Sequence, residues 1–213
     1  GLGSGVDITL TTSPETCNWY ATEKMLALFW PLASDDKLFA EDSDIDKDID
    51  ILFIGNRYGI RERLVEYLLD HGVFVTCYGE GWPNGYVNAE QNFGFSKRAK
   101  IILGVGAIAH CSDVYTLKLR DFDALMTGAL YITQRNPDLL RLFKEGEHLE
   151  CYTSFSELLA KINYYLKHPE KCSEIGRKGN ILAKTEHSWD YRLTTTFLQL
   201  GLLSEPSPCA ERV

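Results

Sequence analysis

The chain reads as an open α/β fold, a parallel sheet with helices on both faces, closed by a helical C-terminal third. Three observations carry this reading. Short apolar runs such as Ile51–Ile54 alternate with stretches of helical spacing such as Ile60–His71, and strands buried on both faces read as unbroken apolar runs. Successive strands separated by helices pair in parallel, because a parallel pair needs a crossover. Beyond Ser154 the apolar residues recur at helical spacing.

Taken in order, Gly1–Gly5 is a flexible start, and Val6–Thr11 alternates as a strand does. A helix is expected around Ala21–Leu28, followed by Phe29-Trp-Pro-Leu. Residues 35–50 form an acidic linker in which Asp42, Asp44, Asp46, Asp48 and Asp50 alternate. A calcium loop would need Gly where Lys47 stands and a bidentate Glu where Phe53 stands, so a solvated linker is the reading. Strand Ile51–Ile54, a helix from Ile60 to His71 stopped by Gly72, and strand Val73–Tyr78 make the first parallel unit. A helix around Glu90–Ala99, strand Ile101–Leu103, a short helix after Arg120 and strand Ala129–Thr133 continue the alternation. Ser154-Phe-Ser-Glu157 is a capping box opening a helix with Leu158, Leu159, Ile162 and Leu166 on its inner face. Pro169 starts the next helix, and a third carries Trp189, Leu193, Phe197 and Leu200 as a core stripe. Pro206 and Pro208 mark a frayed tail over 204–213.

Composition narrows the function classes. With 45% hydrophobic and 24% charged residues the chain is an ordinary globular protein. It has no apolar run of the roughly 18 residues that span a bilayer, and no signal peptide opens it. A net charge of -8 argues against nucleic acid as a partner. Any anionic ligand must be drawn by a local cluster of cations. Cys17, Cys77, Cys111, Cys151, Cys172 and Cys209 have neither zinc-site nor disulfide-scaffold spacing and read as reduced thiols of a cytoplasmic protein.

Two segments carry candidate chemistry. In Lys118-Leu-Arg120-Asp-Phe-Asp123 a cationic loop runs into a helix start, whose free N–H groups and positive dipole end suit a phosphate. Asp123, one turn inside, can accept hydrogen bonds from a vicinal diol such as ribose. An amphipathic helix whose acids merely complement the dipole has the same spacing. The other segment is the turn Gly55-Asn56-Arg57-Tyr-Gly59: its glycines allow close backbone approach, and Arg57 and Arg61 offer guanidinium forks to phosphate oxygens. Solvated arginines on a plain turn are the alternative. Gly104-Val-Gly106-Ala-Ile-Ala109 matches a dinucleotide fingerprint, but His110-Cys-Ser-Asp113 interrupts the helix it requires. His71, His110, His148, His168 and His187 are dispersed; His110 alone lies beside the candidate cleft, and no catalytic base is assigned.

The Lys118–Thr133 segment resembles the donor-binding signature of the glycosyl transferases group 1 family, which has the GT-B fold. There a Glu stands five residues before a Gly, and one branch, resembling spore-maturation-type glycosyltransferases, writes it Arg-x-Phe-Glu. Arg120, Phe122 and Gly128 match and Asp123 replaces the Glu; Tyr115 stands at the earlier acid of the longer motif. Weaker matches follow at Asn136-Pro-Asp-Leu, Phe143-Lys-Glu-Gly146, Tyr164–Pro169 and His187–Arg192, so the resemblance covers roughly residues 50–203. It implies a Rossmann-like C-terminal half of a GT-B enzyme, with residues 1–34 a remnant of the N-terminal domain and crossover, 35–50 a linker, 51–203 the donor-binding domain and 204–213 a tail. It further implies a nucleotide-diphosphate sugar as donor, held by Arg57, Arg61, Lys118 and Arg120 with Gly55 and Asn56 on the phosphates, by Asp123 on the ribose, and near Val87 and Asn88 on the base. Hexosyl transfer to a glycan, lipid-linked or protein acceptor would take place against a largely missing N-terminal half. No cofactor or metal is required, because the cations stabilise the leaving diphosphate. The alternative is a non-catalytic nucleotide- or sugar-binding module that acts with a partner.

Overall fold

The computed structural model describes residues 5–39, 45–108 and 111–204 (for 112 and 113, the backbone alone). The chain opens with a small unit of β1 (Thr9–Thr11), α1 (Pro14–Thr22) and β2 (Ala27–Phe29), whose strands pair in parallel. Its helix starts at Pro14, well before the Ala21 expected from the sequence. Pro14 explains the start, since its fixed φ and missing N–H suit a first helical turn. Ala27 and Leu28, expected to be helical, extend instead with Phe29 as the partner of β1.

The main body runs β3 (Ile49–Ile54), α2 (Ile60–Asp70), β4 (Thr76–Tyr78), α3 (Ala89–Arg98) and β5 (Ala99–Leu103). An antiparallel pair follows, β6 (Ala107–Ile108) and β7 (Cys111–Tyr115), then α4 (Leu119–Met126), β8 (Leu130–Gln134) and β9 (Glu150–Tyr152). Three helices complete it: α5 (Phe155–Lys167), α6 (Pro169–Glu186) and α7 (Trp189–Gln199). The central sheet has the order β4-β3-β5-β8-β9 and is parallel throughout. The order reverses between β3 and β5, and a crevice at the carboxyl ends of such neighbours is where doubly wound sheets hold ligands.

Alternate residues of each strand feed two cores. On one face Phe53, Ile101, Leu103, Leu130 and Ile132 meet Leu64 and Leu68 of α2 and Leu158 and Ile162 of α5. On the other, Leu52, Ile102, Tyr131 and Cys151 meet Phe122 and Leu125 of α4 and Ala183 of α6. Truncating a fully buried leucine such as Leu64 or Leu68 to alanine costs about 2–5 kcal/mol.

Two contacts fix α4. Asn180 Nδ2 donates to the carbonyls of Leu125 (3.2 Å) and Met126 (2.5 Å), satisfying the end of that helix. A Cβ at Gly176 would lie 2.4 Å from the Gly128 carbonyl oxygen, so α6 presses backbone to backbone against the turn after α4.

Some expectations change. The inner face of α5 carries Tyr165 in place of Leu166, which is exposed. The supposed core stripe of α7 is largely at the surface, with Leu193 and Phe197 exposed and Thr196 buried. Only half of the box at Ser154 forms: its Oγ accepts from Glu157 N, while Glu157 turns to Thr153. The tail beyond 204, Asp42, Asp44 and His110 lie outside the described residues.

Candidate functional site

β3 delivers the chain to Gly55 at the carboxyl edge of the sheet. A Cβ built there would stand 2.6 Å from Arg120 Nη2 and 3.4 Å from Arg61 Nη1, so two guanidinium groups meet over this glycine. Both lie near the ring of Phe53, Arg120 at 5.1 Å and Arg61 at 6.0 Å from its centroid. Arg61 is only 8% exposed, bonds the Asn56 carbonyl at 3.1 Å, and rests on the Tyr58 ring. Burial, and then the charge of Arg120, lowers its pKa. Arg120 Nη1 is buried and, among the described residues, has no hydrogen-bond partner. A buried, unmatched guanidinium N–H is costly unless something accepts from it.

Lys118 completes the cluster from the entry to α4. Its Nζ donates to the carbonyls of Val105 (2.9 Å), Gly106 (3.0 Å) and Ala107 (2.8 Å), tying down the loop after β5. Burial first, then Arg61 and Arg120, push its pKa down to about 8, even though three carbonyl acceptors favour the charged form. Asp121 is fully committed beneath them: its carboxylate accepts from Lys118 N at 2.7 Å and from Tyr131 Oη at 2.5 Å. Burial raises its pKa, opposed by those hydrogen bonds.

Asp123 lies one turn further along α4, beside a cavity of about 270 Å³ lined by Ile54, Ile102, Asn92, Ser96, Leu119 and Arg120. Ile54 and Ile102 belong to β3 and β5, so the cavity lies at the reversal of strand order. Ser34 Oγ donates to Asp123 Oδ1 at 2.6 Å. Burial raises the carboxyl to about 6, with Ser34 and then Arg120 pulling it down. The arrangement offers an anion site of two or three cations adjoining a carboxylate able to take a diol.

Residues 57–198 match the family profile described as glycosyl transferase-like. The chain belongs to this family. No curated protein matches it. Among solved structures it is similar to sucrose-phosphate synthase from Thermosynechococcus elongatus, at 15% identity and TM-score 0.72 over 92% of this chain and 58% of that one. The Anabaena protein HepE in complex with UDP-glucose matches at 12% identity and TM-score 0.72, over 93% of this chain and 64% of that one. The C-terminal domain of a glycosyl transferase group 1 family protein from Francisella tularensis matches at 12% identity and TM-score 0.53, over 73% of this chain and 98% of that one. At these identities the likeness is one of fold, that of the C-terminal domains of GT-B glycosyltransferases. The chain spans 58% and 64% of the length of the first two.

In this glycosyl transferase-like chain the structure brings Gly55, Arg61, Lys118 and Arg120 together and sets Asp123 beside them. Arg57 faces elsewhere: it pairs with Glu62 at 2.6 Å and Glu66 at 3.4 Å and covers Trp82 at 5.3 Å. Asn56 supports the turn, its Oδ1 accepting from Glu80 N at 3.2 Å. Asn88 caps α3, and its own N–H is taken by Gln91 Oε1 at 3.0 Å. The glycine-rich run from Gly104 leads into the β6–β7 pair and opens no helix, so the dinucleotide fingerprint lacks its context. Tyr115 is half-buried on β7, and its ring would lie 3.3 Å from a Cβ at Gly106. Among the described residues the five cysteines are free thiols, no cluster of metal-ligating side chains forms, and no helix is long and apolar enough to cross a membrane.

Sequence reasoning missed Ser34, Asp121, Phe53 and Trp82. Asp121 had a local signal, a carboxylate three residues after Lys118, the residue that caps α4. Trp82, whose indole N–H donates to the Gly55 carbonyl at 2.7 Å, and Ser34 are far from their partners in sequence and had none.

Proposed function

We propose that the chain binds the nucleotide-diphosphate sugar donor of a GT-B glycosyltransferase. The diphosphate lies over Gly55 against Arg120 and Arg61, with Lys118 adding charge and the start of α4 adding its N–H groups. The ribose diol meets Asp123, and the base enters near Val87 and Asn88. Arg57 and Asn56 hold the turn from behind. The observation that carries this reading is the pair of guanidinium groups converging over Gly55, with Arg120 Nη1 buried and unmatched. The Anabaena protein of the same fold binds UDP-glucose, which makes a uridine donor the first to test.

For the whole protein, the reaction in this proposal is hexosyl transfer to a glycan, lipid-linked or protein acceptor in the cytoplasm. As the sugar leaves, charge builds on the diphosphate, and the fixed cations stabilise it without a metal. The spore-maturation-type branch rests on the Arg120-x-Phe122-Asp123 spelling. In the same proposal, residues 1–34 belong to an N-terminal domain, 35–50 link it to the donor-binding domain over 51–203, and β1 and β2 offer a surface for the rest of the N-terminal domain. A second reading, a binding module without catalysis, is favoured by Tyr115 at the place of the earlier acid.

Calorimetric titration with UDP, GDP, ADP and NAD tests the site. Saturable binding of one nucleoside diphosphate is expected, weakened by about 1–3 kcal/mol in Asp123→Ala, the cost of a hydrogen bond to a charged group. Unchanged affinity in the folded variant would remove Asp123 from the site. A transfer assay with the corresponding sugar nucleotide then separates the enzyme from the module.

A further inference from the structure

We propose that Ser34 is a positioning residue of this site: its hydroxyl orients the Asp123 carboxylate and keeps it charged for the ribose of a nucleoside diphosphate. The inference rests on the donor-site reading above. Ser34 is 89 residues from Asp123 in sequence and 1% exposed. Its main chain is fixed on both sides, its N–H donating to the His187 carbonyl at 3.1 Å and its carbonyl accepting from Trp189 N at 3.0 Å. The hydroxyl therefore has a set origin, and at 2.6 Å from Oδ1 it makes the short bond expected of an O–H donor on an ionised carboxylate.

A diol brings two donors and needs an acceptor-only carboxylate in a fixed plane; a protonated carboxyl would turn one oxygen into a donor. Ser34 takes one lone pair of Oδ1 and leaves Oδ2 to the ligand. The groups facing Asp123 are few. Arg120 comes from its own helix and Ser34 from the N-terminal segment, while Asn92 and Ser96 of α3, which line the same cavity, are uncharged. Behind Ser34, burial and then Arg192 hold His187 at about 4, so it is neutral near pH 7. Against burial, which raises Asp123 to about 6, Ser34 is the first opposing influence and Arg120 the second. Removing the hydroxyl stabilises the protonated form. The ionised carboxylate, and the affinity that depends on it, is then lost at a higher pH as pH falls.

Two measurements on Ser34→Ala and Ser34→Thr test this. In the ligand-free protein, the Asp123 carboxyl carbon resonance is expected to titrate about one pH unit higher in Ser34→Ala and to return in Ser34→Thr, which keeps the hydroxyl. In calorimetry with UDP, the deficit of Ser34→Ala relative to wild type is expected to be smallest above pH 8, where only the loss of orientation remains, and to grow by about a further tenfold below pH 6, tenfold being one unit of pKa. The ratio cancels the titration of UDP itself. If Ser34→Ala does not fold, Ser34→Cys, with a weaker donor, is expected to show a smaller rise in the same direction. An unmoved Asp123 titration, or a UDP deficit equal at every pH, overturns the inference. A raised titration together with no UDP binding by wild type overturns the donor-site reading instead.

Discussion

Two cation clusters at opposite edges of the central sheet treat charge in opposite ways. At the amino edge Lys100 pairs with Asp50 at 2.6 Å and Arg98 holds Asp48 through two nitrogens, while Lys47 bonds the Ala99 carbonyl at 2.9 Å. At the carboxyl edge Arg61, Lys118 and Arg120 gather with one carboxylate already committed to Tyr131 and a backbone N–H, and another shared with Ser34. Balanced charge at an edge is a surface; unbalanced charge held by burial is a place for an anion. The net charge of -8 belongs to the whole chain and is silent about either.

Changes at the carboxyl edge should move nucleotide affinity, and those at the amino edge should not. Arg120→Met should have the largest effect, weakening UDP by about 2–3 kcal/mol in calorimetry as charge-assisted bonds to phosphate are lost. Thermal stability should hold or rise in that variant, because Arg61 is relieved of a like charge; a large fall in stability would make Arg120 structural. Lys118 comes next, through pH. Its pKa near 8 lies below that of a free lysine, so its charge, and the affinity resting on it, is present below that value and fades as pH rises through it. A decline in UDP affinity across that range in wild type, absent in Lys118→Met, is expected. Arg57→Gln should cost less than about fivefold, in keeping with its partly exposed pairing to Glu62 and Glu66. Asp50→Asn should leave UDP affinity unchanged, and a measurable loss there would break the contrast between the edges.

Much of the fold was legible because the strands of the main body are apolar on both faces. β3, β5 and β8, with α2, α3 and α4 between or beside them, emerge within a few residues of their expected bounds. β9 escaped notice because it opens on Glu150, and a buried acid in a strand is legible only once Lys161 and Tyr165 are seen bonding it. The β6–β7 pair was hidden by glycines that resemble a nucleotide fingerprint. The cationic residues were visible as types, but their directions were not. Arg57 and Arg61 lie four apart with the same side chain, yet one turns to Glu62 at the surface and the other under Arg120. Which way each turns depends on Phe53 at the end of β3, Tyr58 within the turn and Trp82 from the loop after β4.

Trp82 gives that turn an optical property. Its indole N–H is tied to the Gly55 carbonyl and its ring lies under the Arg57 guanidinium, whereas Trp30 and Trp189 pack against each other at a tilt and Trp19 stands in solvent. Of the four tryptophans, one is thus wired to the backbone over which the two arginines close. An anion arriving there changes the field across that indole, so occupancy of the site would be visible in the protein's own fluorescence, without a label and in the wild-type chain.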